Sequence, residues 1–245
     1  MFYKNYVSRE SVFRERGKIL KYTNIVEGTF LSRINRFTAK AEINEQVEIV
    51  HVKNTGRLIK LLKSGSKAYF QKSDKPERKT KYDLIAVEHS GDIINVDSQI
   101  TNYVAEEWLN KKYLFSDINY LKREVKYGES RFDIYLEHGE SKTFIEIKGV
   151  TLQENGIAKF PDAPTQRGIK HLKELIKCID DGYEAYIMFV IQMPNIKWFE
   201  PAISIQEEFV AVLNEAKQKG VHVIAYECIM TKDSIEINKE VEVRL

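Results

Sequence analysis

Hydrophobic and polar residues alternate in two neighbouring segments near the middle of the chain, 131–137 and 143–150. A period of two is typical of strands with one buried face, so each segment is predicted to be a β-strand. In the first strand, Phe132 and Ile134 are expected to share the buried face. Gly139 interrupts the pattern and favours a tight turn, which makes the two strands a β-hairpin.

The turn determines which residues of the hairpin face each other. If residues 139–140 form a two-residue turn, His138 pairs with Ser141. The same register places Asp133 opposite Glu146, with facing Cβ atoms about 4.5–5.5 Å apart. Two carboxylates at that distance repel each other, so the sequence implies either a different register or a cation between them.

The first part of the chain carries several short segments with strand periodicity and little helical pattern. Five short strands of this kind predict a small β-barrel. A five-stranded barrel of the oligonucleotide-binding (OB) type has this length and strand count, although other small barrels fit equally well. The predicted strands cover residues 30–43, 45–53, 67–72, 82–89 and 92–96.

After about residue 97 the pattern changes to helices that alternate with strands, which predicts an α/β (α+β) domain with a mixed sheet flanked by helices. Ser98 is expected to cap the first of these helices, and Gly182 to end the second in a left-handed conformation. We therefore predict two domains, 1–97 with an N-terminal arm and the barrel, and 98–245. The predicted helices cover residues 98–113, 165–181 and 206–219, and the strands residues 121–127, 131–137, 143–150, 184–193 and 221–228.

Charge divides the chain in the same way. Residues 1–82 hold 19 Lys and Arg against 8 Asp and Glu, whereas residues 83–245 hold 19 against 28. A basic front part suggests contact with a polyanion, and a lysine-rich solvated surface is the alternative. Because no apolar run approaches about 20 residues and the N-terminus lacks an apolar stretch, we expect a cytoplasmic protein.

Basic residues of the barrel region are the candidate contacts to nucleic-acid phosphates. Three aromatic residues there, Phe37, Tyr69 and Phe70, are available for stacking on bases or for the core. The candidate phosphate contacts are Arg33, Arg36, Lys53, Arg57, Arg78, Lys79 and Lys81.

The predicted hairpin also carries a candidate catalytic group. Asp133 and Glu146 would supply hard oxygen ligands for Mg²⁺ or Mn²⁺, and Glu124 on the preceding strand is a candidate third ligand. Lys148, two residues after Glu146 on the same face, would orient the attacking water and stabilise negative charge on the phosphate.

A second candidate phosphate site lies in the segment FPDAPTQRG, residues 160–168. Asp162 and Thr165 are expected to flank a helix start, where backbone N–H groups favour an anion. Arg167, Lys170 and His171 follow in the first turns and would bind a phosphate. The alternatives are that Asp162 only caps the helix, Arg167 forms a salt bridge and His171 lies on the surface.

Two resemblances follow from these segments. Asp133 followed by Glu146-Ile147-Lys148 on a central hairpin resembles the metal-dependent nucleases of the PD-(D/E)xK superfamily, although the proline of that motif is absent. More specifically, the chain from about Phe30 onward resembles the sugar fermentation stimulation protein A family, which usually has Glu at position 166 and often Ser at 149, where this chain has Gln and Gly. The segments that carry this resemblance are VKNTGRL (52–58), REVKYGESRFDIYL (123–136), FIEIKGVTL (144–152) and KFPDAPTQRGIKHLKEL (159–175).

The family resemblance implies an OB-like N-terminal barrel, a restriction-endonuclease-like C-terminal domain, DNA binding without marked sequence preference, and nuclease activity in some relatives. We therefore predict a nuclease that uses Mg²⁺ or Mn²⁺ and takes DNA as its partner, with RNA as the alternative. The competing hypothesis is a non-catalytic DNA-binding regulator, for example of sugar or maltose metabolism, that retains the nuclease fold. Exposed sheet edges would allow a homodimer.

Overall fold

A computed structural model describes residues 12–13, 20–111 and 113–245 of the chain. The arm predicted at the N-terminus lies mostly outside these residues. The remainder forms a closed five-stranded barrel followed by a mixed sheet with helices, as predicted. No helix in the described ranges combines the length and the apolar character needed to cross a bilayer.

The barrel is closed by a pairing between strands that are distant in sequence. Its strands follow the order β5-β4-β3-β6-β7, and a short parallel pairing of β5 with β7 joins the two ends, while β8 extends β7 as a hairpin. β1 and β2 form a separate two-stranded pair. The strands are β1 Val12–Phe13, β2 Lys21–Tyr22, β3 Ile25–Arg33, β4 Thr38–Ile43, β5 Gln46–Val52, β6 Lys67–Lys72, β7 Tyr82–His89 and β8 Asp92–Asn95.

The single strand predicted over residues 30–43 is wrong, because the chain turns back at residues 34–37 to give β3 and β4. The Asn35 side chain accepts hydrogen bonds from the amides of Phe37 and Thr38 at 2.8 and 3.0 Å. Arg33 donates to the carbonyls of Asn35 and Arg36. These side-chain bonds replace a strand ladder and stabilise a turn that hydrophobic periodicity alone does not reveal.

The C-terminal part is built on a six-stranded sheet with the order β17-β16-β14-β11-β10-β9. β11, β14 and β16 run parallel, and the other neighbours are antiparallel. A second sheet of three short strands, β12-β13-β15, was not predicted, because segments of three or four residues carry no measurable periodicity. The elements are α1 Thr101–Asn110, β9 Ile118–Tyr127, β10 Ser130–His138, β11 Ser141–Val150, β12 Leu152–Glu154, β13 Ile157–Phe160, α2 Gln166–Asp180, β14 Glu184–Ile191, β15 Trp198–Pro201, α3 Glu207–Gln218, β16 His222–Met230 and β17 Ile235–Glu240.

Helices cover both faces of the large sheet. α1 packs Val104 and Leu109 against one face, where Ile145 is buried. α2 and α3 pack against the other face, where Phe144 and Phe189 are buried. This three-layer arrangement buries the central strands on both sides and gives the hairpin of β10 and β11 a rigid setting.

The helix ends agree only in part with the sequence. Thr165 caps α2 by accepting a hydrogen bond from the Gly168 amide at 3.0 Å; the sequence placed the helix start near Thr165 but offered Asp162 as the capping residue. Gly182 follows the helix with a φ of +84°, as predicted. Ser98, in contrast, does not cap α1, which begins after Ile100 without a side-chain cap. The Ser98 hydroxyl instead donates to the Lys53 carbonyl at 2.6 Å, so it connects the start of this domain to the barrel.

Candidate functional site

The β10–β11 hairpin has the register that its turn predicts. His138 pairs with Ser141, and the ladder continues to Ile134 opposite Ile145. The next position in this register brings Asp133 to Glu146, at the place where the regular ladder ends. There the Asp133 carboxylate, rather than a carbonyl, accepts the hydrogen bond of the Ile147 amide at 2.8 Å.

Strand β10 changes its orientation at Asp133. Phe132 is buried with the residues under α2, whereas Ile134 is buried with those under α1, although residues two apart on a regular strand share a face. The expectation that both share one face is therefore wrong. Glu124, opposite Asp133 on β9, has a φ of +54°, a conformation that costs energy for a side chain of this type. The strained backbone of Glu124 on β9 therefore lies beside the point where β10 changes its orientation.

Asp133 is held by two donors from different elements. Asn102, in the first turn of α1, donates to Oδ1 at 2.7 Å, and the Ile147 amide donates to Oδ2. Burial, together with the neighbouring Glu146 carboxylate, raises the pKa of Asp133 to about 6. The site therefore keeps two mutually repelling acids close together, and a cation would relieve that repulsion.

Glu146 is almost fully buried and has two unlike oxygen atoms. Its Oε1 accepts hydrogen bonds from Lys148 Nζ at 2.5 Å and from His171 Nδ1. Its Oε2 is buried and has no hydrogen-bond partner among the described residues. Burial alone would raise the pKa of Glu146, but Lys148 and His171 outweigh it and hold the pKa below its ordinary value. The side chain is therefore an ionised carboxylate with one uncommitted oxygen.

His171 has a different role from the one predicted. The sequence suggested a phosphate contact or a surface residue, but the ring is buried and bonded to Glu146. Arg167 Nε donates to His171 Nε2 at 3.4 Å, so that nitrogen is the acceptor and Nδ1 carries the proton that Glu146 accepts. His171 thus orients Glu146 from α2, and Arg167 orients His171. Burial at this helix position was not visible in the sequence, and neither was the contact from Asn102.

The two acids fit a divalent cation of the Mg²⁺ class. An unpartnered carboxylate oxygen in a buried position costs free energy unless a proton donor or a cation meets it, and Glu146 Oε2 is such an atom. Across the described ranges no cluster of three or more Asp, Glu, His or Cys side chains has a metal-binding arrangement. Mg²⁺ commonly uses only one or two carboxylates and completes its shell with water and substrate phosphate oxygens, so this pair is sufficient.

Two residues predicted for the site lie apart from it. The Glu124 side chain is 68% exposed and lies 3.6 Å from Arg131, so the structure does not bring it to the acids as a third ligand. Lys170 is exposed on α2 and contacts Glu129 at 3.5 Å. Arg167 is exposed at the start of the same helix. Unlike Lys170, it is linked to the acids, because it donates a hydrogen bond to His171.

Most of the candidate phosphate contacts in the barrel already have partners within the chain. Lys53 is only 10% exposed and lies 3.3 Å from Asp83 and 3.1 Å from Asp97, so the prediction that it contacts phosphate is corrected to a structural role. Arg33 donates to five backbone carbonyls. Arg78 pairs with Asp83 through both terminal nitrogens, and Lys81 pairs with Glu48. Among the described residues, Arg36, Arg57 and Lys79 are the exposed candidates for which no such partner is found.

The loop after β5 is one of the places where the barrel meets the C-terminal part of the chain. A side-chain carbon at Gly56 would come within 2.4 Å of the Asp162 carboxylate, so the loop after β5 approaches the segment before α2 as closely as only glycine permits. Lys60 in the same loop pairs with Glu154 of β12. This contact places the basic barrel beside the helix that carries His171.

Comparisons with known proteins agree on one family. Residues 99–234 match the family model described as the sugar fermentation stimulation protein RE domain, and residues 31–96 match the SfsA N-terminal OB domain. Sugar fermentation stimulation protein homologs from Clostridium beijerinckii and Ruminiclostridium cellulolyticum are 50% and 52% identical to the chain over 226 residues, covering 92% of it and 100% of each relative.

A solved structure shares the fold. It is described as Pyrococcus furiosus SfsA in complex with Ca²⁺, and it superposes with a TM-score of 0.85 at 32% identity, covering 93% of this chain and 99% of the other. The resemblance therefore extends over both the barrel and the mixed sheet.

Proposed function

Because this chain belongs to the sugar fermentation stimulation protein family, and because Glu146 keeps a buried carboxylate oxygen unpartnered beside Asp133, we propose that it is a metal-dependent nuclease. The reaction is hydrolysis of a phosphodiester bond with little sequence preference. The unpartnered oxygen is the main support for the proposal, because in a purely structural pair of acids both buried oxygens would be expected to have hydrogen-bond partners.

Asp133 and Glu146 would hold a divalent cation, Mg²⁺ or Mn²⁺. Such a cation neutralises charge on the phosphate and makes a bound water more acidic. The family relative from Pyrococcus furiosus was solved with Ca²⁺, which takes oxygen ligands as Mg²⁺ does. Asn102 and the Ile147 amide fix the Asp133 carboxylate, and His171 fixes Glu146, so both acids are oriented before substrate arrives.

Lys148 supplies positive charge at the same place. Its Nζ contacts Glu146 Oε1, and its ammonium also interacts electrostatically with Asp133. Beside a substrate phosphate, this ammonium stabilises the negative charge that develops on the phosphate oxygens as water attacks. It acts as a compact point charge and needs no planar, two-point geometry.

The barrel holds the nucleic acid next to these groups. Three of its exposed cations, Arg36, Arg57 and Lys79, are suited to contacts with phosphates, which carry no sequence information. Binding is therefore expected to weaken as salt concentration rises and to vary little with sequence. DNA is the proposed partner, and RNA is tested in parallel.

The proposal is tested by a cleavage assay on single- and double-stranded DNA and RNA with Mg²⁺, Mn²⁺ or a chelator. We expect cleavage with either metal and none with chelator. Lys148→Met should reduce the cleavage rate about 100-fold, because it removes a charge that stabilises the transition state, while the Kd for DNA changes little. Lys142→Met, at an exposed lysine of the same hairpin, is the control and should cleave normally.

Two results would contradict the proposal. Substrates that stay intact with every metal, although the protein binds them, would favour the non-catalytic DNA-binding regulator. Cleavage by Lys148→Met at the unchanged rate would show that the activity comes from another site or from a contaminating enzyme.

A further inference from the structure

The turn between β3 and β4 exposes an aromatic ring. Phe37 is 52% exposed, whereas the other two aromatic candidates of the barrel, Tyr69 and Phe70, are buried in the core. Two further apolar side chains, Ile34 in the same turn and Ile59 in the loop after β5, are 49% and 70% exposed. The turn and the loop bonded to it therefore both expose large apolar side chains, and exposed apolar surface is a common feature of binding sites.

The turn that carries Phe37 is held rigidly. Asn35 accepts the amide hydrogen bonds of Phe37 and Thr38, and the Phe37 carbonyl accepts one from the Val52 amide at 2.8 Å. Arg33 ties this turn to the loop after β5 by donating to the carbonyls of Gly56 and Arg57 at 2.7 and 3.0 Å. A ring on a fixed backbone loses little conformational entropy when a ligand stacks on it, so binding is favoured.

Positive charge lies in the same turn and in the loop bonded to it. Arg36 precedes Phe37 in the turn, and Arg57 lies in the adjoining loop; both are exposed, and neither guanidinium has a partner among the described residues. An exposed aromatic side chain next to unpaired cations is the combination that binds single-stranded nucleic acid, in which bases stack on the ring and phosphates meet the cations. Paired bases inside a duplex do not offer a free face to such a ring.

The turn is connected to the candidate active site. Arg33 binds the carbonyl of Gly56, and Gly56 lies against Asp162, three residues before the Thr165 cap of α2. α2 carries His171, which contacts Glu146. The turn is therefore connected to Glu146 through the loop after β5 and helix α2.

We propose that this turn is a base-stacking site for single-stranded nucleic acid, with Phe37 as the stacking side chain and Arg36 and Arg57 as phosphate contacts. This proposal rests on the proposed function, which makes nucleic acid the substrate. It adds that the barrel preferentially binds nucleic acid whose bases are unpaired. A frayed end, a flap or a single strand is then preferred to an intact duplex.

The test measures binding in chelator, where cleavage does not interfere, by fluorescence anisotropy of a labelled oligothymidylate. Phe37→Ala should weaken binding roughly tenfold, and Phe37→Trp should restore it, because a larger ring stacks at least as well. Val47→Ala is the control: Val47 is 63% exposed on the same barrel but at the other end of the β4–β5 hairpin, and binding should be unchanged.

Two further probes separate stacking from other effects. An abasic oligonucleotide of the same length keeps the phosphates and lacks bases, so Phe37→Ala should bind it as tightly as the wild type does. A blunt duplex should likewise bind the wild type and Phe37→Ala with equal affinity. Equal affinity of wild type and Phe37→Ala for oligothymidylate would overturn the inference, and so would an equal loss on the abasic probe, which would indicate a distorted turn. A wild-type protein that binds no nucleic acid at all would instead overturn the proposed function.

Discussion

Glu146→Gln is expected to reduce metal-dependent cleavage by about 1,000-fold or more while leaving the chain folded. The substitution keeps an oxygen at the Oε1 position, where Lys148 and His171 donate. At the Oε2 position it replaces the unpartnered oxygen with an amide nitrogen, which does not ligate a divalent cation. Single-turnover cleavage of a labelled substrate in Mn²⁺ measures the effect.

Glu140→Gln is the matched control, because Glu140 is exposed at the turn of the same hairpin. This variant should cleave the substrate at the wild-type rate. Thermal unfolding with and without Mn²⁺ supplies a second readout. The wild type should be stabilised by the cation, since ligands that bind the folded state raise its stability, and Glu146→Gln should not be. Undiminished cleavage by Glu146→Gln would remove Glu146 from the mechanism.

Lys53→Met is expected to lower the free energy of unfolding by about 3–5 kcal/mol. Lys53 bridges Asp83 of β7 and Asp97, which follows β8, and all three side chains are largely buried. Burial alone would lower the pKa of Lys53, but the two carboxylates outweigh it and raise the pKa above its ordinary value. Removing the ammonium leaves the buried Asp97 carboxylate with no other ion-pair partner among the described residues, while Asp83 keeps its pairing with Arg78. Chemical denaturation in urea measures the loss.

The position of this cluster makes its loss affect both parts of the fold. Gln192, just after β14, donates to the Asp97 carbonyl at 3.0 Å and to Asn95 at 2.6 Å, which ties the sheet to the end of the barrel. Lys40→Met removes an exposed lysine of β4 and should change the free energy of unfolding by less than about 0.5 kcal/mol. A loss below about 1 kcal/mol for Lys53→Met would mean that water or rearranged partners solvate both acids.

The sequence predicted the hairpin well because its information is local. A two-residue turn at Gly139 and strict alternation set the register through Ile134 and Ile145, and the same pattern brought Asp133 and Glu146 to neighbouring strands. The start of α2 near Thr165 and its end before Gly182 are also local and were correct.

The sequence did not reveal features set by contacts between distant residues. Phe132 lies on the opposite face of the sheet from Ile134 because β10 changes its orientation at Asp133, and that change depends on how the sheet packs between its two helix layers. The burial of His171 depends on Glu146, 25 positions away. Charge counting could not separate Lys53, neutralised by two buried acids, from Arg36, which is exposed. To predict any of these three features, one must know which distant segments of the chain are in contact.

Asp133 and Glu146 are proposed to share one divalent cation. Anomalous diffraction at the manganese absorption edge, from crystals grown or soaked with Mn²⁺, locates that cation. We expect a peak within coordination distance of both Glu146 Oε2 and the Asp133 carboxylate, and no such peak in Glu146→Gln. Wild-type crystals in which manganese binds elsewhere, or in which these carboxylate oxygens contact only hydrogen-bond donors, would contradict the proposed shared cation.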